Sequence, residues 1–456
     1  MKSFKQTVIY PSDCEFPVLD SVDVLVCGGG PAGVAAAITA ASRGQKTLLV
    51  ERLGFLGGMA VAGYSGTICG LFYNSENPIE EGPQQIVFGM ADRFYQELIR
   101  RKGVTEPQLY GKTFLVPFDP QVWKEAAEDM VLHSGASILY HTEIFGVLKD
   151  GDEFKGVLVN TKEGLSKILA KVIIDATGDG DVCYRGGLAY TMGDHGQVQN
   201  PTMIFRLGNV NVPEFKKYWG EDTISPDYVS QRIKDANESG KYHLPRLKVW
   251  VYPTNRPGEL FMNVTMINGM NGRMLNAMNP VDHTEAEIVA RKQVREYARF
   301  FRDQIPGCEE SFVNDLSCEV GIRQSRSIVG IDRLRDDDVA NARKREDGIA
   351  RCPWPIELHN GEKPYMFWLI HDYYEIPYGA LVPERGENLI VAGRNLCAEH
   401  RALASCRVTA QCFGYGEAAG VAADLAVRTQ RKFREIPGRE IREALNQSGA
   451  RLDEKI

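Results

Sequence analysis

The sequence predicts an α/β fold, with a parallel sheet at its centre and a second region of mixed α+β structure beside it. Three observations carry this expectation. Residues 23–51 read as strand, glycine turn, Ala-rich helix and strand in immediate succession. Two later apolar runs, one within Lys171–Asp179 and one at Asn388–Ala392, each end in a glycine turn. The chain has 456 residues, beyond the roughly 250–300 at which one hydrophobic core stops growing, so two packed domains are expected.

Composition narrows the function classes. The net charge is −7, with acids and bases mixed along the chain. No basic stripe or arm marks a nucleic-acid binder. The first residues, MKSFKQTVIYPSDCEF, lack the apolar core of a signal peptide. No run of ~18 apolar residues stands ready to span a bilayer, so a cytoplasmic protein without a membrane partner is expected. Ten cysteines stand at 14, 27, 69, 183, 308, 318, 352, 397, 406 and 412, none of them at C-x-x-C spacing. A zinc or cluster site is therefore not expected, and no metal is assigned.

Taken in order, residues 1–20 read as an extended lead-in. Asp23–Cys27 is a strand, Pro31–Arg43 a helix closed by Gly44 at C′, and Thr47–Glu51 a second strand. Residues 54–75, rich in Gly and aromatics, read as a loop over a ligand. A helix follows at about 89–102. Asp119-Pro120 then forms an N-cap and N1 pair opening a helix to His133. Strands are expected at about 137–149, 154–160 and 166–175, a three-stranded meander. Region 190–370 is less regular. It holds β-like stretches at 202–207, 248–252 and 261–267, a long helix at about 284–304, and a charged stretch at 332–347 that reads as solvated surface. Near the end, Ile376–Val382 and Asn388–Ala392 precede a Gly/Ala-rich helix from about Arg407 to Ala426.

The strongest chemical signal is DVLVCGGGPAGVAAAITAASRGQKTLLVE. Gly28, Gly30 and Gly33 stand at G-x-G-x-x-G spacing after a strand, and Pro31 and Ala32 open the helix. The first glycine makes the tight turn, the second admits a pyrophosphate, and the third lets helix and strand pack closely. The pyrophosphate would rest on the unpaired N–H groups of the helix N-terminus. Glu51 ends the second strand, where a carboxylate would bond ribose hydroxyls. Strand, helix, cap and acid fall in one register, so a Rossmann-type dinucleotide site is expected.

KVIIDATGD at Lys171–Asp179, NLIVAGR at Asn388–Arg394 and GYGEAAG at Gly414–Gly420 extend the pattern, with RLGFLGG at Arg52–Gly58, GIRQSRSIVG at Gly321–Gly330 and the stretch Ile376–Ala392. On these motifs the chain, from about Val22 to Val427, resembles the FAD-dependent oxidoreductase family of the glutathione-reductase-fold flavoproteins, which are related to the succinate dehydrogenase and fumarate reductase flavoproteins. The resemblance implies a Rossmann-type FAD-binding domain with parallel sheet and β-meander, plus a mixed α+β substrate (cap) domain. It implies a discontinuous FAD-binding domain over 20–60, 112–190 and 371–432, a cap over 61–111 and 191–370, and a tail at 433–456.

The resemblance also implies residue roles. Gly28, Gly30, Gly33, Glu51 and Arg52 would hold the ADP half of FAD, and Gly57, Gly58 and Met59 would run beside the ribityl chain and ring. Asp179 and Gly393 would flank the cofactor, and the helix after Gly416 would aim its N-terminus at the flavin. The histidine that anchors FAD covalently in succinate dehydrogenase-type flavoproteins is replaced here by Phe55-Leu56, so FAD is expected to be non-covalent. Neither a paired dithiol nor a second G-x-G-x-x-G for NAD(P)H is present.

Four residues are the catalytic candidates. In Ala398–Arg407 (AEHRALASCR), His400 would relay a proton and Arg401 or Arg407 would bind a substrate carboxylate, unless they pair internally and merely hold the loop. Cys69 is either an acid or adduct-forming thiol or a small buried apolar residue. Arg323 and Arg326 are either anion contacts or structural ion pairs, and His371–Glu375 is either pocket wall or edge strand. The leading expectation is hydride transfer between flavin N5 and a small polar, carboxylate-bearing substrate. Dehydrogenation, enoate reduction and hydroxylation all remain open. The alternatives are an electron-transfer subunit relaying electrons to a redox partner protein, and a nucleotide-binding protein without catalysis.

Overall fold

The computed structural model describes residues 15–359 and 363–455. Cys14 and most of the N-terminal lead-in therefore lie outside the described residues.

The centre of the sheet forms because Val24–Cys27, Thr47–Val50, Val172–Asp175 and Leu389–Val391 are largely apolar runs buried on both faces, as parallel strands must be. The sheet uses β1 (Val18–Cys27), β2 (Thr47–Val50), β3 (Ser137–Leu139), β4 (Glu143–Asp150), β5 (Glu153–Thr161), β6 (Gly164–Asp175) and β7 (Leu389–Val391). The order is β3-β2-β1-β6-β5-β4, and β7 also pairs with β6. β6 is shared between two layers of structure. Its first half runs antiparallel to β5 (Thr161↔Gly164 to Gly156↔Leu169), completing the meander. Its second half pairs in parallel with β7, Ile173↔Leu389 to Asp175↔Val391. β1 runs alongside both halves, which is why that strand begins at Val18, five residues before the apolar run alone suggests.

The expected strand at 137–149 divides in two. Ser137–Leu139 joins the parallel sheet beside β2. The chain then turns through His141, at φ 51°, before β4 enters the meander. β3 and β4 stand at opposite ends of the strand order, β3 beside β2 and β4 beside β5, so one continuous strand cannot serve both.

Helix α1 (Pro31–Ser42) starts with proline at N1, and α2 (Pro120–His133) is capped by Asp119, whose side chain accepts the Gln121 amide at 2.8 Å. The Gly/Ala-rich segment forms two helices: α3 (His400–Cys406) and α4 (Thr409–Thr429). α4 is buried nearly all round, as its lack of a polar face requires. It packs on α1 so closely that a β-carbon at Gly416 would lie 2.0 Å from Ala32 O.

A second core gathers Met203, Phe205, Leu260, Met262, Tyr297 and Phe301, among others. It lies between an antiparallel sheet (Trp250–Pro253, Leu260–Asn263, Phe205–Gly208, Phe312–Leu316) and the helix Pro280–Gln304. That helix begins four residues before the expected start, because Asn279 accepts the Val281 amide and Pro280 occupies N1. The charged stretch 332–347 is not simply solvated. Arg345 bonds Asp332 and Asp347, and Arg343 bonds Asp338, which is 4 % exposed. The C-terminal segment docks through Phe433, Ile441 and Leu445 onto the main core. Among the described residues no helix is long and apolar enough to cross a membrane.

Candidate functional site

A single cavity of ≈ 550 Å³ runs from the glycine turn after β1, past Met59 and Asp179, to an inner chamber between the two cores. That volume lies within the range of cofactor and ligand sites.

At the outer end the geometry follows from missing side chains. Gly28 takes φ +103°, and a β-carbon there would meet Ala176 O at 2.5 Å. A β-carbon at Gly30 would meet nothing nearer than Gly58 Cα at 3.8 Å, so it would stand in the cavity itself. The first amides of α1 have no partner within their helix. Bare backbone, open space and a positive helix end together suit a pyrophosphate. Glu51 is 6 % exposed and lines the cavity. It also braces the turn, with Oε2 accepting the Gly29 amide at 2.7 Å and Oε1 the Leu53 amide at 2.8 Å. Burial raises its carboxyl against those two amide bonds.

Of the residues expected to hold the cofactor, Gly28, Gly30, Pro31, Ala32, Glu51, Arg52, Gly58, Met59, Asp179 and Gly393 line this cavity. Arg52 is ion-paired with Glu319, which approaches from the chain that follows the second core. Asp179 is held by Arg394 Nη2. Gly33 and Gly57 stand behind the wall: Gly33 packs on Gly28, and Gly57, at φ +125°, donates its amide to Gly29 O at 2.8 Å. Gly416 is the exception, for it is buried in mid-helix against α1. The helix end that reaches the cavity starts seven residues earlier, and Val408, Thr409 and Cys412 line it.

The inner chamber has an aromatic wall of Tyr110, Trp250, Tyr252 and Trp354. Its polar content is unusual. Arg323, 8 % exposed, and Arg407, the C-cap of α3, line the chamber, and Arg246, 3 % exposed, stands behind the wall against Trp250 and His359. Among the described residues none of the three forms a salt bridge to a carboxylate within 4.0 Å. Arg246 donates to Asn263 Oδ1 at 3.1 Å and lies 4.0 Å over the Trp250 ring. Arg323 donates to Asn200 O at 2.9 Å, and Arg407 to Gln199 Oε1 at 3.2 Å. Burial pulls the Arg246 guanidinium down to about 10, and burial with its two arginine neighbours pulls Arg323 well down.

One carboxylate answers them. Glu357 Oε1 accepts the Tyr110 hydroxyl at 2.7 Å and lies 2.9 Å from His359 Nε2. Arg246 Nη2 approaches His359 Nδ1 at 3.4 Å. A guanidinium only donates, so Nδ1 is the acceptor and Nε2–H points at Glu357. Burial and the Arg323 charge push His359 well below its ordinary value, so it is neutral at pH 7. Burial opposes ionisation of Glu357, but His359, Tyr110 and Arg407 outweigh it and hold the carboxyl low. Three guanidiniums therefore face one carboxylate, and two positive charges are left for a ligand to neutralise. Among the described residues the buried Arg407 Nε and Trp354 Nε1 donors and the Gln199 amide nitrogen have no partner.

Of the catalytic candidates, Cys69 and Arg407 line the chamber and His400 and Arg401 do not. His400 and Arg401 occupy the first turn of α3, almost two turns from Arg407. Arg401 bonds the Tyr365 hydroxyl at 3.0 Å on the exposed side. Burial raises the Cys69 thiol to about 12, against a contact from Thr67 Oγ1 at 3.2 Å, so it is a neutral S–H. Arg326 lines the cavity and bonds Asp181 and Asp179 O. Tyr374 and Glu375 are buried in a strand away from the cavity. Glu357, His359, Tyr110 and Arg246 carry no sequence signal, because they come from three separate irregular or short segments.

Comparisons with known proteins agree with this geometry. The chain is 29 % identical over 168 residues to thiamine thiazole synthase of Methanococcus vannielii, covering 35 % of this chain and 57 % of that one. It is 28 % identical over 191 residues to NADH:fumarate oxidoreductase of Klebsiella pneumoniae, covering 35 % and 20 %. The matched part thus spans less than two thirds of these curated relatives. A flavin-dependent brominase superposes with TM-score 0.50 over 93 % of this chain and 84 % of that chain, at 13 % identity, a likeness of fold. The family model described as FAD dependent oxidoreductase matches residues 23–445. The glycine turn, the braced acid and the continuous cavity are thus those of an enzyme that uses FAD, and the chain belongs to the FAD-dependent oxidoreductase family.

Proposed function

We propose that this enzyme transfers a hydride between non-covalently held FAD and a small polar substrate bearing a carboxylate. The observation that carries the reading is the inner chamber: buried arginines in excess of carboxylate, in the same cavity as the dinucleotide turn. Buried charge without a partner is costly, and an anion offsets that cost only while it is bound. The flavin supplies the two-electron acceptor or donor. The chain's part is to hold the ADP half on the α1 N-terminus and Glu51, to place Val408 and Thr409 at the positive end of α4 beside the cavity, and to fix the substrate on Arg323 and Arg407, with the Arg246 charge behind them. A positive helix end near a reduced flavin stabilises its negative charge.

The alternative, an electron-relay subunit, needs a shallow and exposed cofactor edge. The enclosed chamber with Tyr110, Trp250, Tyr252 and Trp354 supports the small-molecule reading instead. Purified protein should be yellow and should release FAD to the supernatant on acid precipitation. Under anaerobic conditions small carboxylates, and not the matching amides, should then change the flavin spectrum. Colour that stays with the pellet would overturn the non-covalent assignment and direct attention to Cys69. Equal responses to acids and amides would overturn the anionic substrate.

A further inference from the structure

The two oxygens of Glu357 have different surroundings. Oε1 takes both donors, the Tyr110 hydroxyl and His359 Nε2–H. Among the described residues no donor reaches Oε2, although Glu357 is 8 % exposed and lines the cavity. A buried carboxylate with one oxygen unserved calls for a partner that the chain does not provide.

The groups facing Glu357 come from several segments. His359 and Tyr110 touch it. Arg246 precedes the strand Trp250–Pro253, Arg323 follows the strand Phe312–Leu316, and Arg407 ends α3. Cys69 and Tyr252 are its neutral neighbours. With the chamber empty of anions, His359 and Tyr110 hold Glu357 ionised together with the guanidiniums, Arg407 first among these, and make it a poor proton acceptor. An anion seated on the guanidiniums cancels much of that field, and a buried carboxylate without it gains proton affinity.

We infer that Glu357 exchanges a proton with the substrate through Oε2, and that the substrate's own negative charge arms it by neutralising the arginines. This rests on the anionic-substrate reading above. In the oxidative direction a substrate X–H bond breaks and its proton forms an O–H bond on Oε2. The electron pair stays on X and builds the C=X bond, and the hydride released from carbon is the equivalent that oxidised flavin, the oxidant, accepts. In the reverse direction Glu357 returns the proton. Tyr110 and His359 are positioning residues that turn the carboxylate so that Oε2 faces the cavity.

The test uses the FAD-loaded enzyme with malonate as probe and malonamide as its neutral control. Calorimetric titrations at pH 7 in two buffers of different ionisation enthalpy count the protons taken up on binding. Malonate should perturb the flavin spectrum and bind with uptake approaching about one proton, and its Kd should rise by up to about tenfold per pH unit over the range of uptake. Glu357→Gln should bind malonate at least as tightly, with the uptake gone. Tyr110→Phe, which removes one donor from the carboxylate, should keep the uptake and move it to higher pH. Malonate binding without proton uptake in the wild-type enzyme, or uptake that persists in Glu357→Gln, would overturn the assignment and leave the anionic-substrate reading standing. Failure of malonate to bind or to perturb the flavin would overturn both.

Discussion

Gly33 and Gly28 meet through backbone alone: a β-carbon built on Gly33 would lie 1.8 Å from the carbonyl oxygen of Gly28. Gly30, between them, is different. Its φ of −71° suits any residue, and its missing side chain leaves space only for the cavity. Gly33→Ala should therefore disrupt the β1–α1 packing and lower the stability of the whole protein. Gly30→Ala should fold with near-normal stability and bind FAD roughly tenfold more weakly, about 1.4 kcal/mol. Denaturation of the cofactor-free variants, alongside FAD titration, separates the two effects. Equal stability losses would contradict the distinction.

Arg323 illustrates a conflict between stability and function. It is buried with Arg246 and Arg407 as its neighbours, and its hydrogen-bond partners are neutral oxygens. Arg323→Met should remove like-charge repulsion and stabilise the ligand-free protein by about 1–2 kcal/mol, while carboxylate binding is lost. Thermal denaturation with and without malonate reads both halves: the variant should melt higher than wild type alone and should show no shift on adding the anion.

Arg206 is the contrasting case, a buried guanidinium with its charges matched. It bonds Asp315 through both Nε and Nη2 and Glu259 through Nη1 at 3.1 Å, and Glu259 is 5 % exposed. Arg206→Ala should leave two carboxylates without a cation and cost about 3–5 kcal/mol. Chemical denaturation should show this loss with FAD affinity unchanged, because Arg206 is not among the residues that line the cavity.

These contrasts explain how much of the molecule was legible in its sequence. Residues 23–51, Asp119-Pro120, Lys171–Asp179 and Asn388–Ala392 could be read because glycines, caps and apolar runs act on their immediate neighbours. The break at Tyr140–Thr142 could not, since it exists only because β3 and β4 pair with different strands. The expectation for 398–407 was half correct for a similar reason. The length of α3 sets His400 and Arg401 about 10 Å along the axis from Arg407, so Arg407 alone of the three lines the cavity, and no local signal marked Ala402–Cys406 as a buried helix. The Tyr110–Glu357–His359 cluster is harder still. Its members are separated by up to 249 positions, and only the packing of distant segments into the main core brings them together.

Glu417 offers a pH test in another part of the fold. It is 2 % exposed on α4, and Oε2 accepts the Met90 amide at 2.9 Å. Burial raises its carboxyl from 4.5 to about 7, against that amide bond. The folded protein thus binds this proton more tightly than the unfolded chain does. The stabilisation is full below about pH 4.5 and is lost as the pH rises to about 7, a change of about 3 kcal/mol. Glu417→Gln keeps an acceptor for Met90 and never ionises. It should match wild type near pH 4.5 and exceed it by about 3 kcal/mol at pH 8. Parallel stability curves for the two proteins would refute the assignment.

The shared strand β6 has a consequence for synthesis. Its outer edge receives β7 only when residues 389–391 have left the ribosome, and most of the cover on α1 comes from α4, at 409–429. At roughly 5–20 residues per second, the nascent first half waits some tens of seconds with an apolar strand edge and a largely uncovered Ala-rich helix. Contacts closing so distant a loop also slow folding itself. A chain stopped before residue 389 should therefore aggregate rather than persist as a small nucleotide-binding protein, and holding chaperones should be needed most during that interval.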